Sequence, residues 1–214
     1  MKKAKLLILG FENLQYHHLQ GMDLKGLETC GAVHFYPVHA HASEPLEVWK
    51  EQLTGLDYTS PDGFKRKYFW EYLEENNYKK AFIRNIGGEQ HLAEDIRKEM
   101  FSVFNEFTKI QFREPADVAI FKIEFLAKSY NETLYGWFDE FVTAVIQAKV
   151  AECHVILSDN KDGVFGIAGN EMLSSVLRNH GHIKGVDVLD FLCAVMCIEK
   201  PQEGQKWLTN AATL

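Results

Sequence analysis

No apolar run in this chain approaches the ~20 residues that a membrane-spanning helix needs, so a membrane protein is not expected. Cysteine is scarce: Cys30, Cys153, Cys193 and Cys197 contain no C-x-x-C pair, and nothing suggests a secreted disulfide framework. Cys193 and Cys197 stand four apart in an apolar stretch and read as two small hydrophobes on one helix face. No run of lysine and arginine forms a basic stripe, and the net charge is −7, so binding to a phosphate backbone by charge alone is not expected. The small cluster Lys65, Arg66, Lys67 fits a solvated helix face. The P-loop, the dinucleotide fingerprint and the G-x-S-x-G elbow are all missing, as are repeats, low-complexity segments and linkers. After Met1-Lys2-Lys3 only a few apolar residues precede Gly10 and Glu12. No secretory leader is expected, and the cytoplasm is the expected compartment.

What is present is the composition of a globular domain with a dense core: 214 residues, 46% hydrophobic and 13% aromatic. Residues 5–9 are a continuous apolar run, as in a strand buried on both faces, and Glu12 and Asn13 follow at once. Residues 32–38 read as a second strand, with Pro37 placing it at an edge or a strand end. Ser43 is placed to cap a helix carrying Pro45 in its first turn and Leu46, Trp49 and Leu53 on one face. A further helix is expected over 64–77 and a strand over 80–86. Residues 89–108 and 132–150 keep a 3.6-residue apolar period. Residues 110–112 read as a short strand, 116–126 as strand then loop, and 153–157 as the next buried strand. That strand ends in the polar turn Ser158 to Gly163. A helix is expected over 169–179. The apolar stretch 186–198 is expected to be buried, either within the chain or against a second copy in a homo-oligomer. Strands alternating with helices predict a single α/β domain over 1–214, three layers deep, with a mostly parallel sheet and helices on both faces.

In such folds ligands bind outside the carboxyl ends of the strands. That rule selects residues 10–13, 39–44 and 158–162. Glu12, Asp159 and Asp162 are the acidic candidates. Converging carboxylates at a sheet edge suit Mg²⁺ or Mn²⁺ and activate water for phosphodiester attack, so these three are the expected metal ligands and catalytic residues. Asn13, Ser158 and Asn160 are the expected substrate contacts. The alternative is a Zn²⁺ site on His39 and His41, an H-x-H pair with Glu44 close by; a second pair, His180 and His182, is expected on the opposite side of the sheet.

The run Leu7-Ile8-Leu9-Gly10-Phe11-Glu12-Asn13-Leu14 resembles the opening of NYN-type domains of the PIN-like nuclease superfamily, where an apolar strand ends in Asp and an Asn follows closely. Val155-Ile156-Leu157-Ser158-Asp159-Asn160-Lys161-Asp162 is similar to that family's later strand, which ends in Ser and two acidic residues. The family's first Asp falls on Gly10 here. Its middle acidic strand falls on residues 117–124, with Lys122 and Glu124 around the acid position, and the 159–162 turn is one residue longer. The resemblance implies a divergent metal-dependent phosphodiesterase or nuclease-like domain acting on a nucleotide or nucleic acid. The competing expectation is a non-catalytic α/β module that binds a partner protein or small ligand, with Phe11, Tyr16 and Trp70 at its contact surface.

Overall fold

The computed structural model describes residues 2–30, 33–55, 67–79, 82–87, 93–124, 131–169, 175, 177 and 182–198. Seven strands form one sheet in the order β3-β4-β1-β5-β6-β2-β7. They are β1 (Ala4–Phe11), β2 (Val33–His39), β3 (Phe82–Gly87), β4 (Val118–Glu124), β5 (Ala151–Ser158), β6 (Asp162–Ala168) and β7 (Ile183–Lys184). The block β3-β4-β1-β5 is parallel throughout, and β7 runs parallel to β2. Only β6 runs against its neighbours. The expected three-layer, mostly parallel α/β architecture is therefore the one observed.

The apolar run at the start of the chain is explained by burial on both faces. Leu7, Leu9 and Phe11 enter a core with α5 (Ala93–Arg113) and α6 (Glu132–Gln147), which supply Ile96, Met100, Phe104 and Phe107, and Phe138, Phe141, Val142 and Val145. The short helices α1 (Tyr16–Gln20) and α2 (Lys25–Thr29) close this layer with Leu19 and Leu27. Leu6 and Ile8 face the opposite core with α3 (Pro45–Thr54), α4 (Phe69–Glu75) and α7 (Val188–Val195). A strand sandwiched between two helical layers has no polar face to show, hence no alternation. Asn131 caps α6 by accepting the Leu134 N–H at 3.2 Å, as expected for an Asn at that position.

Several expectations change. Residues 162–168 form β6, an antiparallel hairpin partner of β5, where no strand was expected between the polar turn Ser158 to Gly163 and the helix expected from 169. In the sheet, Gly166 makes room for the Phe35 ring, since a Cβ there would lie 2.8 Å from it. Residues 110–112 are the last full turn of α5, with Phe112 exposed, instead of a strand. Glu44, not Ser43, occupies the N-cap position of α3, and its side chain makes no capping bond. Leu46 is exposed, and Val48, Trp49, Glu51 and Gln52 turn inward. Cys193 is buried in α7, but Cys197 lies beyond the helix end in a left-handed conformation and is exposed, so the two share no face. Pro37 sits in β2 opposite Val164, ahead of the two residues that β7 pairs, so its missing N–H breaks no ladder on that side. The helix expected over 169–179 falls outside the described residues apart from Gly169 and the helical Ser175 and Leu177, as do 56–66 and everything after 198. The α7 segment packs within the chain, in the same core as Trp49, Phe69 and Leu73. Among the described residues no helix is long and apolar enough to cross a membrane.

One buried side chain sets a pH dependence. His154, in the middle of β5, is 3% exposed, and its Nε2 has no hydrogen-bond partner among the described residues. Burial, with a smaller push from Lys3, drives its pKa down to about 4. The folded protein keeps this ring neutral while the unfolded chain takes up a proton near pH ~6.5, so stability is lost as pH falls from ~6.5 towards 4. The loss at pH ~4.5 is about 2–3 kcal/mol. Asp159 acts in the other direction, because burial raises its pKa and the folded state holds its proton longer. The His154 contribution is therefore isolated by comparing urea midpoints of the parent and His154→Gln at pH 7 and 4.5. We expect a shallower pH slope in the variant; identical slopes would remove His154 as the cause.

Candidate functional site at the carboxyl edge of the sheet

The three stretches selected in sequence converge on one edge. Phe11 is in register with Ser158, and Gly10 with Lys122, which sets Glu12 and Asn13 between the ends of β4 and β5. Because β6 is antiparallel, its first residue, Asp162, is opposite the last residue of β2, His39, and His39 is also in register with Lys184 of β7. The edge thus runs Glu124, Glu12, Asp159, Asp162, His39, Lys184 across the sheet.

Asp159 is its buried node, 1% exposed. Its Oδ1 accepts the Asn13 N–H at 2.8 Å. That bond holds Asn13 at φ 56°, a left-handed turn that directs the chain off β1. Burial pushes the Asp159 pKa up, while the Asn13 N–H, the charge of Lys122 and the nearby Trp49 indole pull it back. The indole N–H stops short of hydrogen-bond geometry, so among the described residues Trp49 Nε1 and Asp159 Oδ2 are both left without a full partner. Trp49 also covers Gly10: a Cβ at position 10 would lie 2.2 Å from its Cη2. The indole therefore fills the space into which a side chain at the end of β1 would project.

The expected substrate contacts divide. Ser158 is fully buried; its carbonyl accepts from Gln52 Nε2 at 2.8 Å and its Oγ accepts from the Asn160 N–H at 3.0 Å. Asn160 Oδ1 accepts the Asp162 N–H, completing the hairpin turn. Asn13 and Asn160 are half-buried. Asp162 leaves the acidic set: its carboxylate, 68% exposed, meets His39 Nδ1 at 2.9 Å. Among the described residues no group of three His, Cys, Asp or Glu side chains is placed to hold a metal ion, so Glu12, Asp159 and Asp162 do not form the three-ligand set expected of them. Lys122 and Glu124 pair with each other at 2.6 Å in a half-exposed contact.

The histidines regroup as well. His41 does not accompany His39, because β2 ends at His39 and the chain turns. His41 Nδ1 lies 3.3 Å from Glu51. His182 stands beside His39 instead, ring centres 5.8 Å apart, on the same edge where the opposite side of the sheet was expected. His180 lies outside the described residues. Phe11, an expected contact residue, is fully buried and packs edge-on against Phe138. Tyr16 is half-buried against the core, and Trp70 stacks on Tyr68.

Three residues that support the edge were missed in sequence: Trp49, as a cover for Gly10, and Glu51 and Gln52, as buried polar anchors. Glu51 is fully buried and accepts the N–H groups of His41 and Ala42 at 2.9 and 3.0 Å. Their spacing from Val48, three and four residues on, was the available signal.

No family model matches the chain. No curated protein matches it either. Among solved structures it is similar to one described as the crystal structure of Ps i-CgsB in complex with k-i-k-neocarrahexaose. The TM-score is 0.58 at 9% identity, over 94% of this chain and 73% of the other. A likeness at that identity carries the fold alone.

Proposed function

We propose that this chain is a non-catalytic α/β module that binds a small polar ligand along the carboxyl edge of its sheet. The observation that carries this reading is the plugged end of β1. Trp49 fills the space beside Gly10, and Asp159 is buried and committed to Asn13. The groups still reachable from solvent include both acids and bases along the edge: Lys122 with Glu124, then Glu12, then Asp162 with His39, then Lys184. Such a row suits a ligand carrying both donors and acceptors better than a uniformly charged polymer.

A second reading is the divergent phosphodiesterase or nuclease-like enzyme. It is favoured by Glu12 and Asp159 following neighbouring strands in register, since Mg²⁺ is held by as few as one or two carboxylates plus waters and substrate phosphate. Its substrate would be a nucleotide or nucleic acid, with Mg²⁺ or Mn²⁺ as cofactor. Thermal unfolding in Mg²⁺, which histidines hold poorly, separates the two. The module reading predicts no Mg²⁺-dependent rise in melting temperature and no cleavage of bis(p-nitrophenyl) phosphate. It also predicts stabilisation by some member of a panel of polar small molecules that carry both donors and acceptors. A Mg²⁺-dependent rise and a phosphodiesterase rate that both vanish in Glu12→Ala would replace the module with the enzyme.

A further inference from the structure

We propose that His39 and His182 form a binding site for a borderline divalent transition metal, Cu²⁺ or Zn²⁺, where β2, β6 and β7 meet at the carboxyl edge. This site is separate from Glu12 and Asp159 and stands whichever reading of that end of the edge holds.

Three observations build it. First, the two rings are neighbours on adjoining strands. His39 is the last residue of β2, His182 immediately precedes β7, and the pairs Val38–Ile183 and His39–Lys184 fix their relative position. The ring centres are 5.8 Å apart and the planes inclined by 59°. Two imidazoles on one ion, with bonds of ~2.0 Å, have centres about 4.5 Å apart on a tetragonal ion and about 5 Å apart on a tetrahedral one, so a side-chain rotation completes the site. Second, His39 is oriented for ligation. Its Nδ1 lies 2.9 Å from Asp162 Oδ1. With Nδ1–H donating to that carboxylate, the lone pair is on Nε2. A carboxylate behind the imidazole fixes the tautomer and raises the basicity of the ligating nitrogen. Asp162 is itself held in place, since its N–H donates to Asn160 Oδ1 at 3.0 Å. Third, both histidines are exposed, so an ion reaches them without opening the fold.

Asp162 acts behind His39 and not as a third ligand, which agrees with the absence of any three-ligand group among the described residues. Water completes the coordination sphere. Lys184, beside His39, opposes the charge of the ion, and Asp162 offsets it. Two imidazoles with waters favour Cu²⁺ over Zn²⁺ by the usual order of divalent affinities and leave Mg²⁺ unbound. His41, turned towards Glu51, takes no part.

The test is calorimetric titration of the full chain with Cu²⁺ and with Zn²⁺, alongside the Cu²⁺ electron paramagnetic resonance spectrum at one equivalent. The expected result is one ion per chain and hyperfine splitting from two nitrogens. His39→Ala and His182→Ala should each weaken binding at least tenfold and remove one nitrogen. Asp162→Asn should weaken binding about tenfold with both nitrogens retained, the cost of losing a carboxylate behind a ligating histidine. His41→Ala should bind as the parent does. These side chains are on the surface, and melting curves of the metal-free variants verify that folding is unchanged. Absence of saturable binding below about 1 mM, or binding untouched by His39→Ala, would overturn the site.

Discussion

Glu51→Ala is expected to cost about 3–5 kcal/mol and to lower the melting temperature by roughly 10 °C. The carboxylate has no exposed surface and receives two backbone N–H groups, from His41 and Ala42, with the His41 ring 3.3 Å away. Hydrogen bonds to a charged acceptor contribute about 1.5–3 kcal/mol each, more than neutral ones, and truncation leaves both amides without an acceptor in a closed space. The space is closed because Gly185 packs against the carboxylate: a Cβ on Gly185 would lie 2.4 Å from Oε1. Alanine therefore also leaves a cavity between α3 and the turn leading into α7. Glu51→Gln keeps one acceptor oxygen but presents an NH₂ group to a region of N–H donors, and should fall between the two. Urea unfolding followed by circular dichroism gives the comparison. A Glu51→Ala unfolding free energy within about 1 kcal/mol of the parent would show that these two bonds do not anchor the turn after β2.

The parts of the fold that were legible in sequence are those that physics writes into local pattern. The run Leu6 to Leu9 announced a strand buried on both faces, and the period of α5 and α6 announced amphipathic helices. β6 was illegible in part because Gly166 serves a partner far away in sequence: it accommodates Phe35, more than a hundred residues distant. The edge where the three selected stretches converge was legible, since a parallel sheet obliges loops to gather at the carboxyl ends of its strands. Its grouping was not. Whether Asp162 joins Asp159 or His39 depends on β6 running antiparallel to β2, and no single stretch of sequence records that. His182 met His39 for the same reason, through the pairing of β2 with β7. Glu51 and Gln52 carried no signal of burial, because charged and amide side chains are usually exposed. Burying them requires backbone partners that only the assembled structure supplies.

Gly10→Asp tests what the PIN-like resemblance asks of β1, and it is expected to be severely destabilising. The new Cβ would stand 2.2 Å from Trp49 Cη2 and 2.5 Å from Cζ2, separations that real Cβ atoms do not show. The indole, 8% exposed, must leave its seat, and the carboxylate that replaces it lies in a buried place beside Asp159. Overpacking costs about 1–3 kcal/mol, and an ill-compensated charge costs further. Gly10→Ala isolates the steric part and should cost about 1–3 kcal/mol. Trp49→Ala alone should cost about 3–5 kcal/mol through the cavity it leaves. Combining Gly10→Asp with Trp49→Ala removes the clash, so the double variant should be more stable than the sum of the two single effects predicts. It also opens a strand-end acid next to Glu12 and Asp159. The expected outcome is a Mg²⁺-dependent rise in melting temperature in the double variant and none in the parent, because only the variant has the space and the charge to hold the ion. Strictly additive destabilisation would mean that Trp49 does not plug the end of β1. A parent that responds to Mg²⁺ as the double variant does would mean that the plug does not keep the ion out.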